Sequence, residues 1–93
     1  MDARIDSQIE RATAVLKAAG AREVYVFGSA ADERMRPDSD VDLAVSGLPP
    51  EAFFRAMSDA ERALGRPLDL IDLDEETPFT RYLKSEGGLR RVA

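Results

Sequence analysis

VYVFGSAADERMRPDSDVDLAV, residues 24–45, sets two apolar runs on either side of a polar, charged stretch. The first run, Val24 to Phe27, predicts a short strand that ends at a Gly28-Ser29 corner. The second predicts a strand carrying Asp40 and Asp42. Side chains alternate along a strand, so these two aspartates share one face while Val41, Leu43 and Val45 share the other. The apolar face requires a core. On the opposite face two adjacent carboxylates repel and raise each other's proton affinity unless a cation lies between them. The pattern points to a metal site beside a glycine-serine turn.

Working outward, the segment from Ala30 to Arg34 holds good helix formers, which puts Gly28-Ser29 at a candidate helix N-terminus. Unpaired N–H groups and the positive end of a helix dipole attract phosphate there, and glycine lets the backbone come close. A plain turn is the alternative for Gly-Ser taken alone. On the N-terminal side, Ile5, Ile9, Ala12, Leu16 and Ala19 recur at helical spacing, with Gly20 as a C-terminal stop. On the C-terminal side, Ser46-Gly47-Leu48-Pro49-Pro50 reads as a loop. A helix follows from about Pro50, with Phe53, Met57, Ala60 and Leu64 as its apolar stripe and Gly65 as its end. Leu68 to Leu73 predicts a third strand, on which Asp69 shares a face with Ile71 and Asp72 points the other way. Thr77-Pro78 then opens a last helix to about Glu86, with Phe79, Tyr82 and Leu83 on one side.

Gly28-Ser29, ten residues, then Asp40-x-Asp42, all between two apolar strands, is a specific combination. With the run Arg36-Pro37-Asp38-Ser39-Asp40-Val41-Asp42-Leu43 and the short chain, it resembles the nucleotidyltransferase superfamily related to DNA polymerase β. Within it the chain looks like the minimal nucleotidyltransferases, the MntA-type antitoxins found with HEPN-domain partners. The resemblance runs from the first strand to about Tyr82. It implies transfer of a nucleoside monophosphate from a triphosphate to a hydroxyl, with release of pyrophosphate. It further implies two Mg²⁺ ions held by Asp40 and Asp42, with a third carboxylate on the strand after the second helix. Asp69 matches that slot, with Asp72 as the alternative. Gly28 and Ser29 would hold the β- and γ-phosphates of ATP. The acceptor in that family is a tyrosine hydroxyl on a HEPN RNase toxin, silenced by addition of AMP. Ala30 stands where many members of that family carry a basic or aromatic side chain, and Asp32 and Glu33 add negative charge to a stretch that there often includes arginine, with Arg34 and Arg36 available to offset it.

Composition agrees with a small carboxylate-based enzyme. The 93 residues suffice for a single domain, 1–93, and a chain of this size buries only about 60–65% of its unfolded surface, too little to enclose a bulky acceptor. The expected fold is α+β, a small mixed sheet of about three strands covered on one face by helices, with 87–93 as a flexible tail. There is no Cys and no His, which removes thiol and Ser-His-Asp chemistry and nearly all zinc sites. The remaining ligands are oxygens suited to Mg²⁺. Walker A and GxGxxG loops are missing. A net charge of −5 argues against direct nucleic-acid or membrane binding, no apolar run approaches a membrane span, and a cytoplasmic location is expected. Two other functions fit the same residues: a binding-only antidote that occludes its toxin, and the catalytic subunit of a small-molecule (aminoglycoside-like) nucleotidyltransferase.

Overall fold

The computed structural model describes residues 3–28, 40–86 and 88–93. Helix α1 (Ala3–Ala18) leads into strand β1 (Glu23–Phe27), and β2 (Val41–Ser46) runs back beside it. A single 3₁₀ turn (Pro50–Ala52) opens helix α2 (Phe53–Leu64), which is followed by β3 (Leu68–Asp72), α3 (Pro78–Glu86) and the two-residue β4 (Arg90–Arg91). The local chemistry of these ends matches the sequence. Gly65 closes α2 in the left-handed conformation, φ 80°, and its N–H donates to the Glu61 carbonyl. Thr77 caps α3, its hydroxyl accepting from the Thr80 N–H at 3.1 Å.

The sheet order is β3-β2-β1-β4. Strands β1 and β2 pair antiparallel, with Phe27 opposite Asp42 and Val24 opposite Val45. Strands β2 and β3 pair parallel, which requires the long connection that α2 supplies, and Asp42 stands beside Asp69. Alternation then gives the sheet two unlike faces. One carries Val24, Val26, Val41, Leu43 and Val45, all fully buried, against Ile9, Ala12 and Leu16 of α1 and Ala56, Ala60 and Leu64 of α2. Each fully buried valine or leucine there contributes about 1.5–3 kcal/mol, so this layer holds the fold together. The other face carries a smaller cluster of Phe27, Ala44, Leu73 and Leu83.

Three features depart from expectation. Helices cover both faces, because Leu83 of α3 packs on Phe27 and Ala44 across the sheet from α1 and α2. The sheet has four strands, since Arg90–Arg91 pairs with β1. The stretch expected as a tail is thus tied down: Val92 N–H donates to Val24 C=O at 2.9 Å, and Val24 N–H donates to Ala93 C=O at 3.0 Å. Val24 is fully buried, and its backbone groups need partners wherever they can be found. Finally, α3 turns Thr80 and Leu83 inward and leaves Phe79 and Tyr82 about half exposed, at 47% and 56%. Thr80 is tolerated inside because its hydroxyl donates to the Glu75 carbonyl at 2.6 Å, which satisfies a buried polar group.

Candidate active site

Pairing brings Gly28, Asp40, Asp42 and Asp69 to one end of the sheet. Gly28 follows the last residue of β1, Asp40 precedes the first residue of β2, and Asp42 and Asp69 are the second residues of β2 and β3. Two hydrogen bonds fix the start of β3 at that end. Val41 N–H donates to the Pro67 carbonyl at 3.0 Å, and Leu68 N–H donates to Oε2 of Glu61 on α2 at 2.9 Å. With Leu68 so held, Asp69 comes level with Asp42 on the same face.

Asp42 is the most perturbed group of this set. On one side stands Phe27, its cross-strand partner, and on the other Asp69. Burial, then the Asp69 carboxylate, then the Asp40 carboxylate all raise its pKa above the ordinary carboxylate range. Each cause disfavours the anion, and each is relieved by a cation. Asp40 and Asp69 are both exposed, and their oxygens remain open to ligands. Among the described residues no three acidic side chains gather at metal-binding geometry. The donor set is nonetheless all carboxylate oxygen around one half-buried aspartate, and it fits hard divalent ions rather than zinc.

Gly28 belongs to the same constellation. Its φ of +69° lies in the left-handed region, and a Cβ built there would overlap the Asp42 carboxylate. Glycine is therefore required twice, by backbone conformation and by closeness to the aspartate. Ser29, the expected helix at 30–34, and Ala30, Asp32, Glu33, Arg34 and Arg36 lie outside the described residues. Asp72, the alternative to Asp69, sits on the opposite side of β3, where its Oδ1 accepts from the Asp74 N–H at 2.9 Å. It takes no part in the cluster.

Sequence reasoning overlooked the aromatic surroundings. The Phe27 ring meets Phe79 edge to face at 6.1 Å, which carries an exposed apolar surface from α3 to the border of the carboxylates. Phe54 of α2 is 75% exposed and was not singled out by the helical pattern. An apolar stripe at helical spacing says which residues share a side; it does not say that a second aromatic beside the stripe will stay in solvent.

Similarity to known proteins agrees with this arrangement. The family model of polymerase β nucleotidyltransferases matches residues 10–89. No curated protein matches the chain. Among solved structures, a protein described as a minimal nucleotidyltransferase superimposes with a TM-score of 0.71 at 27% identity, covering 100% of this chain and 96% of that one. A toxin–antitoxin structure with AMP-PNP gives 0.73 at 21% identity, covering 88% of this chain and 69% of the other. A complex of tri-AMPylated HEPN toxin from Shewanella oneidensis with its MNT antitoxin gives 0.56 at 23%, covering 75% and 56%. The last two likenesses concern the fold alone. A family match across most of the chain, on top of a Gly28 corner packed against an Asp42–Asp69 pair, shows that the chain belongs to the polymerase β family of nucleotidyltransferases.

Proposed function

We propose that this protein is an antitoxin that transfers AMP from Mg-ATP to a tyrosine hydroxyl of a HEPN-family RNase toxin and thereby neutralises it. The observation that carries the proposal is Asp42, half-buried between Phe27 and Asp69 and pressed by a second carboxylate at Asp40. Such a group is costly without a cation and useful with one. The fold supports the choice of acceptor. Its structural neighbours include a toxin–antitoxin structure with AMP-PNP and a HEPN toxin already AMPylated in complex with its antitoxin.

In this reading Asp40, Asp42 and Asp69 would hold two Mg²⁺ ions. When bound, the ions stabilise the attacking and the leaving oxygens of an in-line displacement at phosphorus. Asp69, on the strand nearest the open edge of the sheet, accepts the proton of the tyrosine hydroxyl. The Gly28 backbone, with no side chain to keep a ligand away, and Ser29 hold the β- and γ-phosphates of the departing pyrophosphate. No described helix is long and apolar enough to cross a membrane, and the proposed setting is the cytoplasm, where ATP and RNA are present.

The test is to mix the chain, Mg-ATP labelled at the α-phosphate, and a HEPN toxin produced with it, and to weigh the toxin by mass spectrometry. A gain of AMP units that disappears in the doubly substituted Asp40→Asn, Asp42→Asn variant is expected. A toxin neutralised equally well by that variant, with no mass added, would show that occlusion and not transfer is the activity.

A further inference from the structure

β3 is an edge strand: β2 pairs with its inner side, and no described strand lies on its outer side. The parallel register with β2, fixed by Val41 N–H to Pro67 C=O and Leu73 N–H to Val45 C=O, turns Asp69 and Ile71 backbone groups inward. Those of Leu68, Leu70 and Asp72 therefore face outward. Leu68 N–H is taken by Glu61 and the Asp72 carbonyl by Glu75 N–H at 3.2 Å. Among the described residues the C=O of Leu68, the N–H and C=O of Leu70 and the N–H of Asp72 have no hydrogen-bond partner, and such an open ladder is the usual template for an added strand.

This edge is the floor of a groove of about 390 Å³ whose walls are Phe54, from α2, and Phe79 of α3 with its cap Thr77. Phe54 is 75% exposed and Phe79 47%. Asp72 and Glu75 are its acidic lining residues, and neither Lys nor Arg contributes to it. Asp74 and Glu76 are exposed in the same turn. The floor also leads to the carboxylate cluster, because Leu70 follows Asp69 directly. A protein of net charge −5 with an acidic rim here is poorly suited to dock a second copy of itself.

We propose that this groove receives an extended, lysine- or arginine-bearing segment of the acceptor protein, which adds to β3 as a further strand and presents its hydroxyl beside Asp69. The proposal rests on the transfer activity above for the identity of the acceptor, but not for the existence of the docking site. Backbone pairing supplies the hold, the two phenylalanines grip alternate side chains, and Asp72 and Glu75 select cations.

The experiment uses a short fluorescein-labelled peptide of alternating lysine and valine, with a glutamate-valine peptide as control, and the full chain. Binding of the lysine peptide is expected, with slowed exchange of the Leu70 and Asp72 amide protons. Phe54→Ala and Glu75→Lys, both at exposed positions, are each expected to weaken it about tenfold. Neither should alter the melting temperature or the affinity for Mg-ATP. Equal binding of both peptides, unchanged affinity in both variants, or no added protection at Leu70 would overturn the proposal. Parallel loss of Mg-ATP affinity would assign the groove to the nucleotide instead, and a dimer abolished by Phe54→Ala would assign it to a second copy. Peptide binding that persists in Asp42→Asn, alongside an absence of AMP transfer in the unaltered protein, would sink the proposed reaction and leave the docking site standing.

Discussion

The two faces of β2 are built from alternate residues of one six-residue strand, yet they answer to opposite demands. Val41, Leu43 and Val45 are fully buried against α1 and α2. Asp42, between them in sequence, faces the other way toward Asp69 and Phe27. The first face gains free energy from every atom it removes from water. The second holds a carboxylate whose charge is opposed by burial and by two like charges. Stability and chemistry are separated here by a single step along the chain, a consequence of the two-residue period of a strand. One face can be altered with little effect on the other.

The largest expected effect breaks the site and spares the fold. Asp42→Asn should lower AMP transfer by about a thousandfold or more, the loss expected when metal-based charge stabilisation worth several kcal/mol is removed. The melting temperature measured without divalent ions should stay level or rise, since the substitution removes a disfavoured anion. A clear drop would mean that Asp42 is structural. The next substitution runs the comparison backwards. Leu43→Ala should destabilise by about 3 kcal/mol, lowering the melting temperature by roughly 15 °C, while transfer below the melting range remains within a few-fold of the original.

These expectations show what the sequence made legible. Alternation placed Asp40 and Asp42 opposite Val41 and Leu43 and put Asp69 and Asp72 on opposite sides of their strand, whereas the family resemblance was what chose Asp69 between them. The caps at Gly65 and Thr77 were readable because they depend on local backbone chemistry alone. The fourth strand was not. Arg90–Arg91 has no apolar alternation, and what holds it is the backbone demand of β1, a strand far away in sequence. Nor does a helical stripe say which side of a sheet a helix will cover. The position of α3 on the carboxylate face, with Phe79 at its border, comes from the way the chain returns after β3.

Cations should sharpen the contrast between the faces further. At pH 7 to 8, Mg²⁺ or Mn²⁺ at about 100 times its dissociation constant should stabilise the protein by about 2.7 kcal/mol, visible in thermal unfolding. The sign with pH follows from the direction of the Asp42 shift. Its pKa in the folded chain is raised, so the folded state binds this proton more tightly than the unfolded state does. That contribution is fully present below the unfolded carboxylate pKa and is lost as pH rises through the raised value. Divalent ions should therefore stabilise least in acid, where the proton already occupies their place, and most above neutrality. In Asp42→Asn the dependence on cation should largely vanish, whereas in Leu43→Ala it should persist.

The smallest destabilisation expected concerns the corner. Gly28→Ala places a methyl group at φ +69° and against the Asp42 carboxylate, and should cost about 1–2 kcal/mol by thermal unfolding. Its effect on the site should be larger than that on the core: displacement of Asp42 should weaken cation binding, measured by calorimetry. An unchanged affinity would separate Gly28 from the metal site.

The crowding of Asp42 by Asp69 and Asp40 also bears on the lineage of such chains. A mutation that silences the chemistry at this position relieves the fold of an unfavourable ion, so inactivation and gain of robustness arrive together. In relatives that lack the proposed transfer activity, Asp42 should be among the first residues to go.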